Sequence, residues 1–294
     1  SGTIGYDRIP ERNFEFAPGD EAVIRQIGAH IVRHLGTPTT VYHEVISDAV
    51  HVDIHILEPT ADRPHYTLVT SGMSERAMKV PPEANAPAHL ELVLCLPASW
   101  PMDQKSWEDP KHYWPIGWLK FLARFPHVMN SWLGLGHTFP NGEDARPYTP
   151  ETRLCCALLG PSVTTPQEFW ALTLSDGRTI GFLGLYFITA DELAFKLQHG
   201  GEALHERLLA ANVTELVQPA RQSVLAGAFA PAPHDVVGTS FASSPGHVPV
   251  RLRTLFKHMP PFWQYPAGMV GVLALGIGLG VAFPAVGLLA IPVV

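Results

Sequence analysis

His51, Asp53 and His55 occupy alternate positions of the run Val50–Leu57. In an extended strand, alternate side chains share one face and lie roughly 6.6 Å apart. Two imidazoles and a carboxylate are a donor set for a divalent metal, and such a centre would equip a metal-dependent hydrolase. Adjacent ligands of one ion sit closer than that spacing, so the set needs a remote partner such as His43 or His137. The intervening Val52, Ile54 and Ile56 are apolar, so the same alternation also describes a half-buried strand that binds no metal.

Other chemistries lack their residues. The chain has no GxSxG, no GxxxxGK[ST] and no GxGxxG; the pair Gly134 and Gly136 leads into His137 rather than opening a helix after a strand. Cys95, Cys155 and Cys156 lie in apolar runs without CxxC spacing and read as reduced, buried thiols. Asp191 and Glu192 stand in a first helical turn, where the helix dipole accounts for them. Trp100, Trp107, Trp114, Trp118 and Trp132 cluster within a short stretch, as core or as the lining of a peptide groove. No motif requires a cofactor, and none is expected.

The elements that would position these groups alternate in period. Asp20 to Leu35 places Ile24, Ile27, Ile31 and Leu35 on one helical face, with Asp20 as N-cap and Gly36 as the stop. Strands are predicted at Thr40–Ile46, Val50–Leu57, Tyr66–Thr70 and Leu90–Leu96. A helix follows over Ile116–Arg124, bounded by Pro115 and Pro126. Strands return at Leu154–Leu159, Glu168–Leu174 and Ile180–Tyr186, the last two joined by a hairpin at Asp176-Gly177. Thr189 to Glu192 forms a capping box opening a helix that stops at Gly200-Gly201, and a second helix spans Glu202–Ala210. Strand runs followed by helices indicate an α+β fold with a mixed or antiparallel sheet and flanking helices.

The 294 residues divide by composition. From Pro266 to Val294 no residue is charged, a run longer than the roughly 18 that marks a membrane span. Residues 266–294 are therefore predicted as a C-terminal transmembrane helix, with Gly276-x-x-x-Gly280 as a site of close helix approach. Arg251, Arg253 and Lys257, with the aromatics Trp263 and Tyr265, make 251–265 a juxtamembrane segment. Residues 226–250, rich in Ala, Pro, Ser and Gly, read as a flexible linker. The body, residues 1–225, would then be a cytoplasmic domain anchored to the inner membrane. Its 17 basic and 26 acidic side chains give it a net charge of −9, which argues against nucleic acid as a partner.

Six stretches together carry a resemblance: VHVDIHILEPT from Val50, YTLVTSGMSERAM from Tyr66, ELVLCLP from Glu91, YWPIGWLKFLARFPH from Tyr113, WLGLGHTFPNG from Trp132 and LYFITADELAFKLQHGGEAL from Leu185. In this order they resemble the suppressor of fused domain family, over roughly residues 20–223. The resemblance implies a non-enzymatic, protein-binding α+β domain. The animal member has two lobes and holds a peptide as an added strand; this chain is similar to its N-terminal lobe. Single-lobe bacterial relatives are proposed immunity proteins, so the implied partner is a protein or peptide, a toxin domain among them. Asp53, Trp132, His137 and Thr138 are the implied contacts. Near Gly136-His137 the animal protein carries an acidic peptide anchor, and Gly136 departs from it. The alternatives are the hydrolase above and the cytosolic sensory domain of a larger membrane protein.

Overall fold

A computed structural model describes residues 19–44, 49–84, 86–142 and 144–226, and the backbone at 273–274 and 288–292. Helix α1, Glu21–Leu35, opens where the Asp20 carboxylate accepts the amides of Ala22 and Val23, and it ends at Gly36, whose φ is positive. Its buried face is Val23, Ile27, His30 and Ile31, so Ile24 and Leu35 sit at the margin of the predicted stripe. Strands β1 (Thr40–Glu44), β2 (Asp53–Leu57), β3 (His65–Ser71) and β4 (His89–Pro97) follow as an antiparallel meander.

Helix α2 spans Pro110–Val128, starting well before the predicted Ile116. Asp109 caps it and Pro110 takes the first helical position, where no N–H is needed. Pro115 and Pro126 lie inside it rather than bounding it. Each removes a backbone hydrogen bond, a cost of about 3 kcal/mol in a helix interior. The burial of Trp114, Ile116, Trp118, Leu119, Leu122 and Phe125 against the sheet offsets that cost. Trp107 and Trp132 belong to the same core, with Trp100 packed against it. These tryptophans build the core or pack against it.

Beyond α2 come β5 (Thr138–Pro140), β6 (Leu154–Pro161), β7 (Ala171–Thr173) and β8 (Thr179–Thr189), then α3 (Ala190–His199) and α4 (Gly201–Ala210). The predicted strand at Glu168–Leu174 is half replaced by a 3-10 turn at Gln167–Phe169. That turn sends Phe169 beneath α1, where the Phe169 carbonyl meets His30 Nε2 at 3.0 Å. The Asp176-Gly177 hairpin stands, with Gly177 in the left-handed region.

The sheet order is β5-β6-β8-β4-β3-β2-β1, with β7 paired to β8. Among these eight strands pairing is antiparallel except between β4 and β8. The fold is thus α+β with a mixed sheet. α1 covers one face over Leu57, Val69, Val93 and Phe182, and α2 covers the other over Ile54, Leu68, Leu92 and Leu94. Residues 214–226 close the body. Cys95 donates its amide to Glu215 O and accepts from Val217 N, which lays this segment beside β4.

The predicted membrane helix over 266–294 lies for the most part outside the described residues, as do the linker 226–250 past Ala226 and the anchor residues Arg251, Arg253, Lys257, Trp263, Tyr265, Gly276 and Gly280. Among the described residues, no helix is long and apolar enough to cross a membrane. Where the tail is described it is strand, not helix: β9 at Leu273–Ala274 and β10 at Leu288–Pro292, the latter antiparallel to β1. A run of Leu, Ala and Ile can satisfy its backbone groups by pairing with an open sheet edge as well as by coiling.

Candidate functional site

The candidate residues fall at two ends of the sheet. Asp53 opens β2, between β3 and β1, whereas Thr138 opens β5, the edge strand at the opposite end. Five strand spacings of about 4.8 Å separate β2 from β5, roughly 24 Å in all. Asp53 therefore stands apart from Trp132, His137 and Thr138, which gather at the β5 end.

At the β1–β2 end, β1 pairs with β2 as Val41 to His55 and Tyr42 to Ile54, and the next step places His43 opposite Asp53. His43 Nδ1 lies 2.9 Å from Asp53 Oδ2, and His51 Nε2 lies 2.7 Å from Asp53 Oδ1. With Asp53 ionised, both imidazoles donate to it. Burial opposes that ionisation, but the two hydrogen bonds outweigh it and hold the carboxyl below its ordinary range. At His51 burial works against the charged form, but the bond to Asp53 and the charges of Asp53 and Glu75 together outweigh it and raise its basicity.

His55 stands apart. Its Nε2 bonds Ser71 Oγ at 2.9 Å on β3, and burial beneath Gly28 of α1 pushes its pKa down to about 4. The triad His51, Asp53 and His55 is therefore not assembled. His43 takes the third place, and the ligand atoms of His43, His51 and Asp53 all lie within 4.8 Å of one another. The reason is strand geometry: residues opposed on neighbouring strands approach to about 4.5–5.5 Å, closer than alternate residues along one strand. Sequence reading named His43 only as a remote partner, because register is not visible in a single strand.

At the β5 end, the loop Trp132–His137 is fixed by its own backbone. Gly136 N donates to Leu159 O, Leu159 N donates to His137 O, and His137 N donates to Gly134 O. The rings of Trp132 and His137 meet edge to face at 4.3 Å. Thr138 Oγ1 accepts from Lys196 Nζ of α3 at 3.3 Å. Leu135 projects outward, 64% exposed, and sequence reading missed it because an apolar residue in an apolar run signals core. Among the described residues β5 pairs on one side only, with β6.

The cysteines are free and buried, and burial pushes the Cys95 and Cys155 thiols up to about 12, so neither is a nucleophile at neutral pH.

The family model for suppressor of fused protein (SUFU) matches residues 48–222, spanning both of these ends. The chain belongs to the suppressor of fused family. Among solved structures, a suppressor of fused homologue from Neisseria gonorrhoeae FA 1090 is similar at 17% identity and a TM-score of 0.48, covering 69% of this chain and 96% of that one. The protein of a Sufu–Fu complex is similar at 16% identity and a TM-score of 0.48, covering 72% and 94%. Drosophila Suppressor of Fused follows at 14% and 0.47, covering 73% of this chain and 53% of its own. A comparison with curated proteins found no match.

Proposed function

We propose that this suppressor of fused domain is a non-enzymatic binding module that receives an extended segment of a partner protein along the outer edge of β5. The observation that carries the reading is the one-sided pairing of β5 beside a loop that holds Leu135 in solvent. Unpaired backbone groups on an edge supply affinity, and flanking side chains supply selectivity. A rigid loop adds little ordering cost on binding. Trp132, His137 and Thr138 frame the same edge, whereas Asp53 belongs to the other end of the sheet.

The finer reading is toxin immunity: the partner is a toxin domain, neutralised at the cytoplasmic face of a membrane to which the apolar stretch 266–294 tethers the body. Its support is the resemblance to single-lobe bacterial relatives, together with the uncharged run itself and the basic and aromatic residues 251–265 that precede it.

The test is calorimetric binding of the full chain to the protein encoded beside its gene, with Leu135→Asp and Thr138→Pro as variants. A stoichiometric complex weakened at least tenfold by either variant is expected; binding untouched by both would overturn the β5 assignment. Membrane fractionation of cells expressing residues 1–294 and 1–226 tests the tether, which fails if both chains stay in the soluble fraction.

A further inference from the structure

We propose that His43, His51 and Asp53 form a binding site for a divalent transition-metal ion, with zinc the ion their donors fit best. The three come from two adjacent strands, His43 from β1 and His51 and Asp53 from the entry to β2. Two imidazole nitrogens and one carboxylate oxygen match the three-ligand zinc sites that keep a fourth position for water. Zinc held at about 2.1 Å from each ligand in tetrahedral geometry places ligand atoms roughly 3.4 Å apart. The observed contacts of 2.7 and 2.9 Å to Asp53, with all three atoms inside 4.8 Å, need only small side-chain rotations to reach that spacing.

Burial is graded in the manner an ion site requires. The side chain of Asp53 is 2% exposed, that of His51 14% and that of His43 36%. The anionic ligand is thus fixed in the interior, and the route to solvent passes His43. The other buried carboxylates of the body are served differently. Glu91 accepts from Thr70, Gly72 and Ser74, Glu192 from Arg221 and backbone amides, and Glu215 from Ser162 and Thr164. Asp53 is the buried carboxylate served by two imidazoles. Glu75 lies within electrostatic reach of His51, and in its carboxylate form it adds to the negative surround of this end of the sheet.

The ion would staple β1 to β2 where β2 begins. It belongs to the opposite end of the sheet from the β5 edge, so it stands or falls independently of the partner site proposed there.

The test uses the full chain, without an affinity tag containing histidine, stripped by chelator and titrated with zinc by calorimetry. One ion per chain is expected. Cobalt in its place should give the visible absorption of a four- or five-coordinate centre. Asp53→Asn and His43→Asn should each weaken binding roughly 100-fold or more. His55→Gln should leave it unchanged, because His55 bonds Ser71 and lies outside the site. If Asp53→Asn does not fold, His43→Asn, at the exposed rim, still decides the matter. No saturable binding by the intact chain, or equal binding by His43→Asn, would show that the three residues are a hydrogen-bonded network only and overturn the proposal.

Discussion

Arg221 closes the body by gripping Glu192 with two parallel bonds. Its two terminal nitrogens each lie 2.6 Å from a different carboxylate oxygen, and one also donates to Phe187 O at 2.9 Å. Both side chains are buried, and Glu192 accepts in addition from the amides of Thr189 and Val224. The capping residue of α3 is thereby also the anchor for the chain segment that follows α4. Removing one member of a buried pair strands the other charge, at a cost of about 3–5 kcal/mol. Arg221→Ala should lower the urea midpoint accordingly. Arg221→Lys should rescue little, because one ammonium cannot reproduce the fork.

Gly72 and Gly177 both adopt positive φ, yet they should respond in opposite ways. A Cβ at Gly72 would run into the carbonyl oxygen of His51, and its amide donates to buried Glu91. Nothing lies within 4 Å of a Cβ at Gly177. Gly72→Ala should cost about 2–4 kcal/mol, whereas Gly177→Asn, a residue tolerant of left-handed turns, should cost under about 1 kcal/mol. Thermal unfolding of the two variants side by side checks the contrast.

His55 makes stability depend on pH in a definite direction. Burial lowers its pKa from 6.5 to about 4, so the unfolded chain takes up its proton first. The contribution is present in full above pH 6.5 and is lost as pH falls toward 4, reaching up to about 3 kcal/mol. Glu75, raised to about 7 by burial, works the other way between pH 4.5 and 7. The clean measure is therefore a difference: chelator-treated wild type and His55→Gln, unfolded in urea at pH 7 and pH 4.5. The variant should lose less stability over that interval than the wild type.

Leu135→Asp should leave stability within about 0.5 kcal/mol of wild type, because most of the side chain is already in water. Unfolding midpoints in urea provide the check. A loss of several kcal/mol would mean that Leu135 packs structurally, and would remove it from the binding edge.

Several elements were legible in the residues alone. The Asp20 cap, the Gly36 stop, the Asp176-Gly177 turn and the Thr189–Glu192 box are set by short-range chemistry, and each stands where its residues place it. The six motifs sufficed to identify the family. The length of α2 was not legible, since Pro115 and Pro126 argue locally for boundaries that burial of the surrounding aromatics overrides. The full role of Glu192 was also hidden. The dipole of its helix explained it well enough, and its partner Arg221 lies 29 positions away.

Sequence alone determined which faces are apolar, where the chain turns and to which family the domain belongs, because those depend on neighbours a few residues apart. Tertiary structure alone decided that His43, not His55, joins His51 and Asp53, and that Asp53 lies at the far end of the sheet from Thr138. Strand order and register are fixed by how whole faces pack against α1 and α2, and that energy is summed over the entire core rather than written at any one position.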